Sequence, residues 1–316
     1  MPKYNFYDLL LDSEIEMPEL PSAAKIQSPS ISIKWGVVTR PQDEIEGAHY
    51  KPDSVAHKDF YFLEVDDIAK YYIEGKASIV IERLGQSNDR DVIAFLIDTV
   101  LTVLLLKHDK FVFHASAVAS PKGVVMISGR AGVGKSSIAL QLLNKGYTFI
   151  EDDRCLLYLN KEDNKIYLKN YLPFIDVWRN EVKRVDKMKG AKIMHPVRDN
   201  IAKLRVDIRD YVNTKSLPLD KLITLSINND DELPYVKVIT GMAKCRLAKT
   251  FTHMDHLIPY VNDASTHFGY LMKILSTIPM IHVTRTIVAK PRQVADFLND
   301  EIIVKDIHQI IETEEV

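Results

Sequence analysis

Gly123-Val124-Val125-Met126-Ile127-Ser128-Gly129-Arg130-Ala131-Gly132-Val133-Gly134-Lys135-Ser136 is the stretch on which the reading of this chain turns. Its first part is an apolar run that reads as a buried strand. Its second part, Gly129 to Ser136, fits the phosphate-binding (P-loop) pattern G-x-x-x-x-G-K-[ST]. A helical run opens at Lys135 and ends at Gly146. The pattern needs this context, because its glycines let successive backbone N–H groups turn inward around a phosphate. The helix behind them adds its positive N-terminal end. Gly129, Arg130, Ala131, Gly132, Val133, Gly134, Lys135, Ser136 and Ser137 are therefore the candidate nucleotide-binding residues. Lys135 is expected at the outer phosphates of ATP and the Ser136 hydroxyl on Mg²⁺. A glycine-rich turn that binds nothing is the plainer reading, and the flanking strand, helix and Lys-Ser pair weigh against it.

Working outward, Phe111 to Ala119 reads as one apolar strand and Ser120-Pro121-Lys122-Gly123 as a turn. The helix carries Ile138, Ala139, Leu142 and Leu143 on one side, as four-residue spacing requires. Tyr147 to Ile150 is a further strand, running straight into Glu151-Asp152-Asp153. Strand, loop, helix, strand and acidic pair make the centre of an α/β nucleotide-binding fold. Cys155 to Leu159 and Lys165 to Leu168 flank a turn and predict a hairpin, and Gln293 to Ile311 predicts one or two amphipathic helices.

The first hundred residues read differently. Ile31 to Trp35 alternates apolar and polar, and Phe60 to Val65, Ala69 to Ile73 and Ala77 to Ile81 predict a meander of short strands. Pro and Ser gather between Pro18 and Pro29, which predicts a loop. Ser87 or Asn88 is the expected N-cap of a helix whose body, Val92 to Leu106, is apolar nearly all round and so calls for burial. The expected division is a β-rich N-terminal part over residues 1–105 and a nucleotide-binding α/β part over 106–316.

The chain has 316 residues, of which 46% are hydrophobic and 27% charged, an ordinary globular balance. A net charge of −2 gives no basic face for nucleic acid. The 15-residue apolar run Val92 to Leu106 is shorter than the roughly 20 residues a membrane span needs, and it carries Asp98. The start lacks the apolar core of a signal peptide. Two cysteines, Cys155 and Cys245, make no disulfide framework or metal spacing. A cytoplasmic protein with no nucleic-acid and no membrane partner is expected.

Four further groups bear on chemistry. Asp152 and Asp153 end the strand after the loop helix, at the carboxyl end where α/β sheets bind ligands; one can hold Mg²⁺ and the other accept the proton of an attacking hydroxyl. His114 lies in Phe113-His114-Ala115-Ser116-Ala117-Val118, and a lone His on an apolar strand is ordinarily a satisfied core residue. His253 and His256 have an i, i+3 spacing that could hold a metal, but no third ligand is evident and a polar helix end is the preferred reading. Arg179, Arg198, Arg205, Arg209 and Arg285 are candidates for the cation that phosphoryl transfer calls for.

His114-Ala115-Ser116-Ala117-Val118, the Gly129 to Ser136 loop, Lys145-Gly146-Tyr147 and Glu151-Asp152-Asp153 together resemble the catalytic domain of HPr serine kinase/phosphorylase, a fold related to phosphoenolpyruvate carboxykinase. The resemblance is specific over about 40 residues, His114 to Asp153. It implies that Asp152 is the base for the acceptor hydroxyl, that Asp153 is the metal-side carboxylate with Ser136, and that His114 lies beside the pair and orients it. The two aspartate roles are exchangeable at this level. The later Gly-rich signature of that family, tied to its phosphorylase reaction and carrier-protein substrate, has no counterpart here, and the N-terminal part is unlike that of the bacterial regulator. The chain is closer to the divergent HPr kinase-like proteins beside peptide-tailoring genes, among them kinases of lasso-peptide precursors.

The expected function is thus an ATP- and Mg²⁺-dependent kinase transferring the γ-phosphoryl group to a serine-type hydroxyl of a peptide or small protein. The N-terminal part is expected to help build the acceptor site or a homo-oligomer contact. A kinase for a free small molecule and a nucleotide-sensing regulatory protein with little turnover are the alternatives.

Overall fold

The computed structural model describes all residues except 24–29, 43, 170–171, 186–187, 199–200, 214, 216, 229–234 and 313–316. The chain divides into two compact units, Met1–Lys110 with Val197–Ile201 and His256–His267, and Phe111–Pro196 with Ala202–Asp255 and Phe268–Val316. Its architecture is α/β.

In the first unit, eight strands form one sheet: β1 (Lys3–Phe6), β2 (Leu9–Ser13), β3 (Ile31–Trp35), β4 (His49–Tyr50), β5 (Ser54–Ala56), β6 (Phe60–Val65), β7 (Ala69–Glu74) and β8 (Ser78–Arg83), in the order β1-β2-β3-β8-β7-β6-β5-β4. The meander β6-β7-β8 follows from alternating burial, with Tyr71, Ile73, Ile79 and Ile81 inside. The expected loop between Pro18 and Pro29 falls in part on 24–29, outside the described residues. Helix α1 (Asp89–Phe95) is capped by Asn88, whose side chain accepts from the Asp91 N–H. A π-turn over Leu96–Val100 joins it to α2 (Leu101–Lys107), and the apolar body is buried as its all-round pattern requires.

The second unit is organised around the strand that precedes the glycine loop. β11 (Gly123–Gly129) is buried at every position, which is how a strand covered on both faces reads. It lies inside a six-stranded sheet of β12 (Thr148–Asp152), β10 (Ala115–Ser120), β11, β18 (Leu219–Asn228), β20 (Met280–Thr286) and β19 (Tyr235–Ile239), in that order. β11, β18 and β20 are parallel; β10 is antiparallel to both β11 and β12. Hence β11 and β12 run the same way with β10 between them, and their carboxyl ends fall at one edge.

Alternation along β11 builds two cores. Val125 and Ile127 pack with Ile138 and Leu142 of α3 (Lys135–Leu143), and with Val294 and Leu298 of α8 (Pro291–Leu298). Val124 and Met126 face Leu157, Phe251 of α5 (Gly241–Phe251) and Ile274 of α7 (Ala264–Thr277) on the other side, the short α6 (Ile258–Val261) falling between those two helices in the chain. The predicted hairpin is β13 (Cys155–Leu159) with β14 (Ile166–Lys169). β15 (Phe174–Trp178), β16 (Lys192–Pro196) and β17 (Lys203–Asp207) form a further small sheet, with α4 (Val182–Val185) following β15. The C-terminal helical run is α8, a π-turn over Asn299–Ile303 and a last short helix, Ile307–Glu312.

One expected strand is two. The run Phe111 to Ala119 breaks at His114 into β9 (Phe111–Phe113), which pairs with β13, and β10, which joins the six-stranded sheet. Apolar side chains on both sides of the break serve two different sheets, so the pattern alone shows no interruption. His114 is therefore not a core residue of a strand: its side chain is 35% exposed.

Candidate functional site

The loop is built by its glycines. Gly129 has φ 152°, and a Cβ there would stand 2.8 Å from Leu225 O, so only glycine lets β11 approach β18 this closely. Gly134 has φ 100° and sits at the N-cap of α3 with no side-chain cap, which leaves the first-turn N–H groups of the helix open to a ligand. Arg285, an Arg candidate from β20, braces the loop: its Nε donates to Val133 O at 3.1 Å and its Nη1 to Thr286 O at 3.0 Å.

The register carries the acids to this loop. Ala115 pairs with Ser128 and Ser116 with Asp152, so Asp152 ends β12 level with the end of β11. Both Ser116 Oγ and Ser136 Oγ donate to Asp152 Oδ1, the latter at 3.1 Å. Asp152 is buried, and burial together with the adjacent Asp153 raises its carboxyl to about 7, against the hydrogen bonds from the two serines. Glu151 before it is fully buried and is raised to about 8 by that burial, partly offset by Arg154.

Asp153 takes a left-handed backbone, φ 65°, which an aspartate tolerates and which turns its side chain away from the strand. Its carboxylate is 42% exposed, and His114 Nε2 lies 3.4 Å from its Oδ1. Burial works to raise this carboxyl, but the contact with His114 and the charges of Lys203 and Lys135 outweigh it and hold Asp153 well below the usual aspartate range. Lys135 itself is buried, donates to Gly129 O at 3.1 Å, and is shifted down by desolvation.

These groups meet in one pocket of about 250 Å³, lined by His114, Lys135, Ser136, Asp153 and Lys203 and floored by Ala131, Gly132 and Gly134. Ser137, Asp176, Trp178 and Glu181 complete it. Ser137 Oγ donates to Glu181 Oε2 at 2.6 Å, and Arg184 pairs with the other oxygen of Glu181. Lys203 is the cation that reading the sequence missed. It stands opposite Trp178 in the β15–β17 register and has its Nζ 5.5 Å from the Trp178 ring. Its one sequence signal is the apolar-polar alternation of β17, which does not say where that strand docks.

The arginine candidates go elsewhere. Arg205 makes a buried fork with Asp176, with Nε–Oδ1 at 3.0 Å and Nη2–Oδ2 at 3.1 Å. Arg209 pairs with Asp207, Arg198 stacks on Phe95 within the first unit, and Arg179 is exposed. His253 lies in a turn, its ring 5.6 Å from that of His114, and the next residue, Met254, has φ 53°, so His253 and His256 do not share a helix face. Among the described residues no group of three or more His, Cys, Asp and Glu side chains could hold a metal. Mg²⁺ needs no such cage, since it keeps several waters and takes one or two carboxylates together with substrate phosphates; the oxygen donors beside the loop are the Ser136 hydroxyl and the Asp152 and Asp153 carboxylates. No helix among the described residues is long and apolar enough to cross a membrane.

No protein-family model matches the chain. It is 29% identical over 100 residues to a Fusobacterium nucleatum protein named "Putative HPr kinase/phosphorylase"; the match takes in 30% of this chain and 16% of that protein's length. Among solved structures, an Hpr(Ser) kinase/phosphatase from Coxiella burnetii aligns over 60% of this chain and 94% of its own, at 15% identity and a TM-score of 0.32. Over about a third of its length, the chain is similar to HPr kinase/phosphorylase.

Proposed function

We propose that this chain is an ATP- and Mg²⁺-dependent kinase that moves the γ-phosphoryl group onto a serine-type hydroxyl of a peptide or small protein. One observation carries the reading: a glycine loop with its lysine, a carboxylate held ionised by a histidine, and a second lysine line the same pocket. Phosphoryl transfer asks for little else, because its catalysis is positioning and charge stabilisation. The glycine loop would cradle the phosphates of ATP, with Lys135 at the outer ones. Mg²⁺, held beside Ser136 and Asp152, would neutralise charge on the phosphate oxygens.

The carboxylate open to the pocket is Asp153, and this supports exchanging the two aspartate roles implied by the resemblance. Asp153 would accept the proton of the acceptor hydroxyl, oriented by His114, while Asp152, already engaged by the Ser136 hydroxyl, would serve the metal side. Reach decides before pKa does: a base must first touch the proton it takes. Lys203 would stabilise the charge on the transferring group.

Incubating the chain with ATP, Mg²⁺ and serine-containing peptides, and reading a phosphoryl mass gain on the peptide, tests the proposal. Nucleotide binding without transfer to any hydroxyl would overturn it.

A further inference from the structure

A second pocket, of about 450 Å³, opens beside the first along α3. Gln141 and Lys145 line it from α3 and its end, Arg184 from α4, and Lys290, Arg292 and Asp296 from the start of α8. Its charge is one-sided. Four cationic side chains line it with one carboxylate; Lys145 takes that carboxylate at 2.7 Å with Arg292 3.9 Å away, and Arg184 is paired with Glu181, which leaves the cationic excess on Lys290 and Arg292. Lys290 has no ion pair among the described residues, and Gln141 Nε2 has no hydrogen-bond acceptor. Such a pocket is built for anions.

Its place in the fold says which anions. Ser137 and Gln141 are four residues apart on α3, so they share a helix face, with Ser137 in the first pocket and Gln141 in the second. Glu181 and Arg184, one turn apart, repeat this step and are joined by an ion pair. The second pocket therefore lies about 6–12 Å from Ser137 along the helix, at 1.5 Å rise per residue. An extended peptide covers that distance in about two to four residues, at roughly 3.3 Å each.

We propose that this pocket receives the carboxylates of the phosphoryl acceptor, which is then a peptide segment bearing Asp or Glu two to four residues from the serine. The inference rests on the kinase reading above and names the substrate class of that site.

The test uses the full chain and three synthetic serine peptides that differ only in carrying Glu, Gln or Lys at those places. Wild-type protein is expected to favour the Glu peptide over the Gln peptide by about tenfold in kcat/KM, through KM, with the preference fading at high salt. The exposed pair Lys290→Glu with Arg292→Glu is expected to invert the order in favour of the Lys peptide. Equal kcat/KM for the three peptides, or an order unchanged in the double variant, overturns the inference and leaves the kinase reading standing. If no peptide is phosphorylated, anisotropy of the labelled peptides decides. Binding of the Glu peptide that the double variant loses supports the docking site while sinking the kinase reading, and no binding overturns the site as well. Pyrophosphate that binds a Lys135→Ala protein through Lys290 and Arg292, with no discrimination among peptides, would make this a small-anion site and overturn the acceptor assignment.

Discussion

Ser136 donates its hydroxyl hydrogen to Asp152 Oδ1 across 3.1 Å, tying the first turn of the loop helix to the end of an edge strand. Asp152 is buried and raised to about 7 by that burial and by Asp153. An acid raised in the folded state binds extra protons there, so its burial penalty is absent below its ordinary value near 3.8. The penalty grows as pH climbs towards 7 and is complete above it. Asp152→Asn, which keeps the acceptor oxygen and drops the charge, should therefore stabilise the nucleotide-free protein at pH 8 by on the order of 2–4 kcal/mol and change little at pH 4. Thermal melts at the two pH values check this, and no gain at pH 8 would contradict the buried charge.

Catalysis should respond differently to the neighbouring acid. Asp153→Asn is expected to lower kcat by about 10²–10⁴-fold while nucleotide affinity stays close to wild type, because only proton acceptance is lost. Asp153 is held well below the aspartate range, so it stays ionised through the neutral region. The acid limb of the kcat/KM profile, which reports the free protein, should therefore follow Asp152, raised by its burial, with activity falling as pH drops below the neutral region. A larger loss of kcat in Asp152→Asn than in Asp153→Asn, with ATP and Mg²⁺ still bound, would restore the base to Asp152.

The two lysines should separate cleanly. Lys135→Ala is expected to weaken ATP binding by roughly 10–100-fold, the value of hydrogen bonds to a charged group. Lys203→Met should leave affinity near wild type and cut kcat by about 10²–10³-fold, as losing one transition-state donor does. Calorimetric titration beside single-turnover kinetics reads both, and a Lys203→Met protein with undiminished kcat would remove Lys203 from the chemistry.

Arg285 is expected to act on the loop's shape. Its guanidinium holds the carbonyls of Val133, Thr286 and Ala289 at once. Arg285→Met should loosen the loop and raise the Kd for ATP by about tenfold. Arg285→Lys should recover little of it, since a point-charged ammonium cannot reproduce the fork.

Much of the site is legible in the residues because it is local. Gly129 to Ser137 is contiguous, and Asp152-Asp153 follows within one helix and one strand. His114 is legible as a neighbour of the acids only through the family resemblance, since Phe111 to Ala119 shows no break where the chain changes sheets. Lys203 is not legible at all. It reaches the acids because β17 pairs with β15, and register between strands some 25 residues apart is decided by packing that no local pattern records. The same holds for Arg205, one of the five candidate cations, whose partner is Asp176 on the facing strand.

β10, lying between β11 and β12, acts as a gauge block. Two inter-strand spacings, roughly 9–10 Å in all, set the separation of the backbone that carries the loop from the backbone that carries the acids. That span is fixed by hydrogen-bonded sheet, not by the length or composition of any connection. Insertions in the turn after α3 or in the Ser120–Gly123 corner can therefore accumulate without changing the reach between phosphate and carboxylate, whereas a one-residue slip of β12 along β10 would take Asp152 away from both serines that hold it.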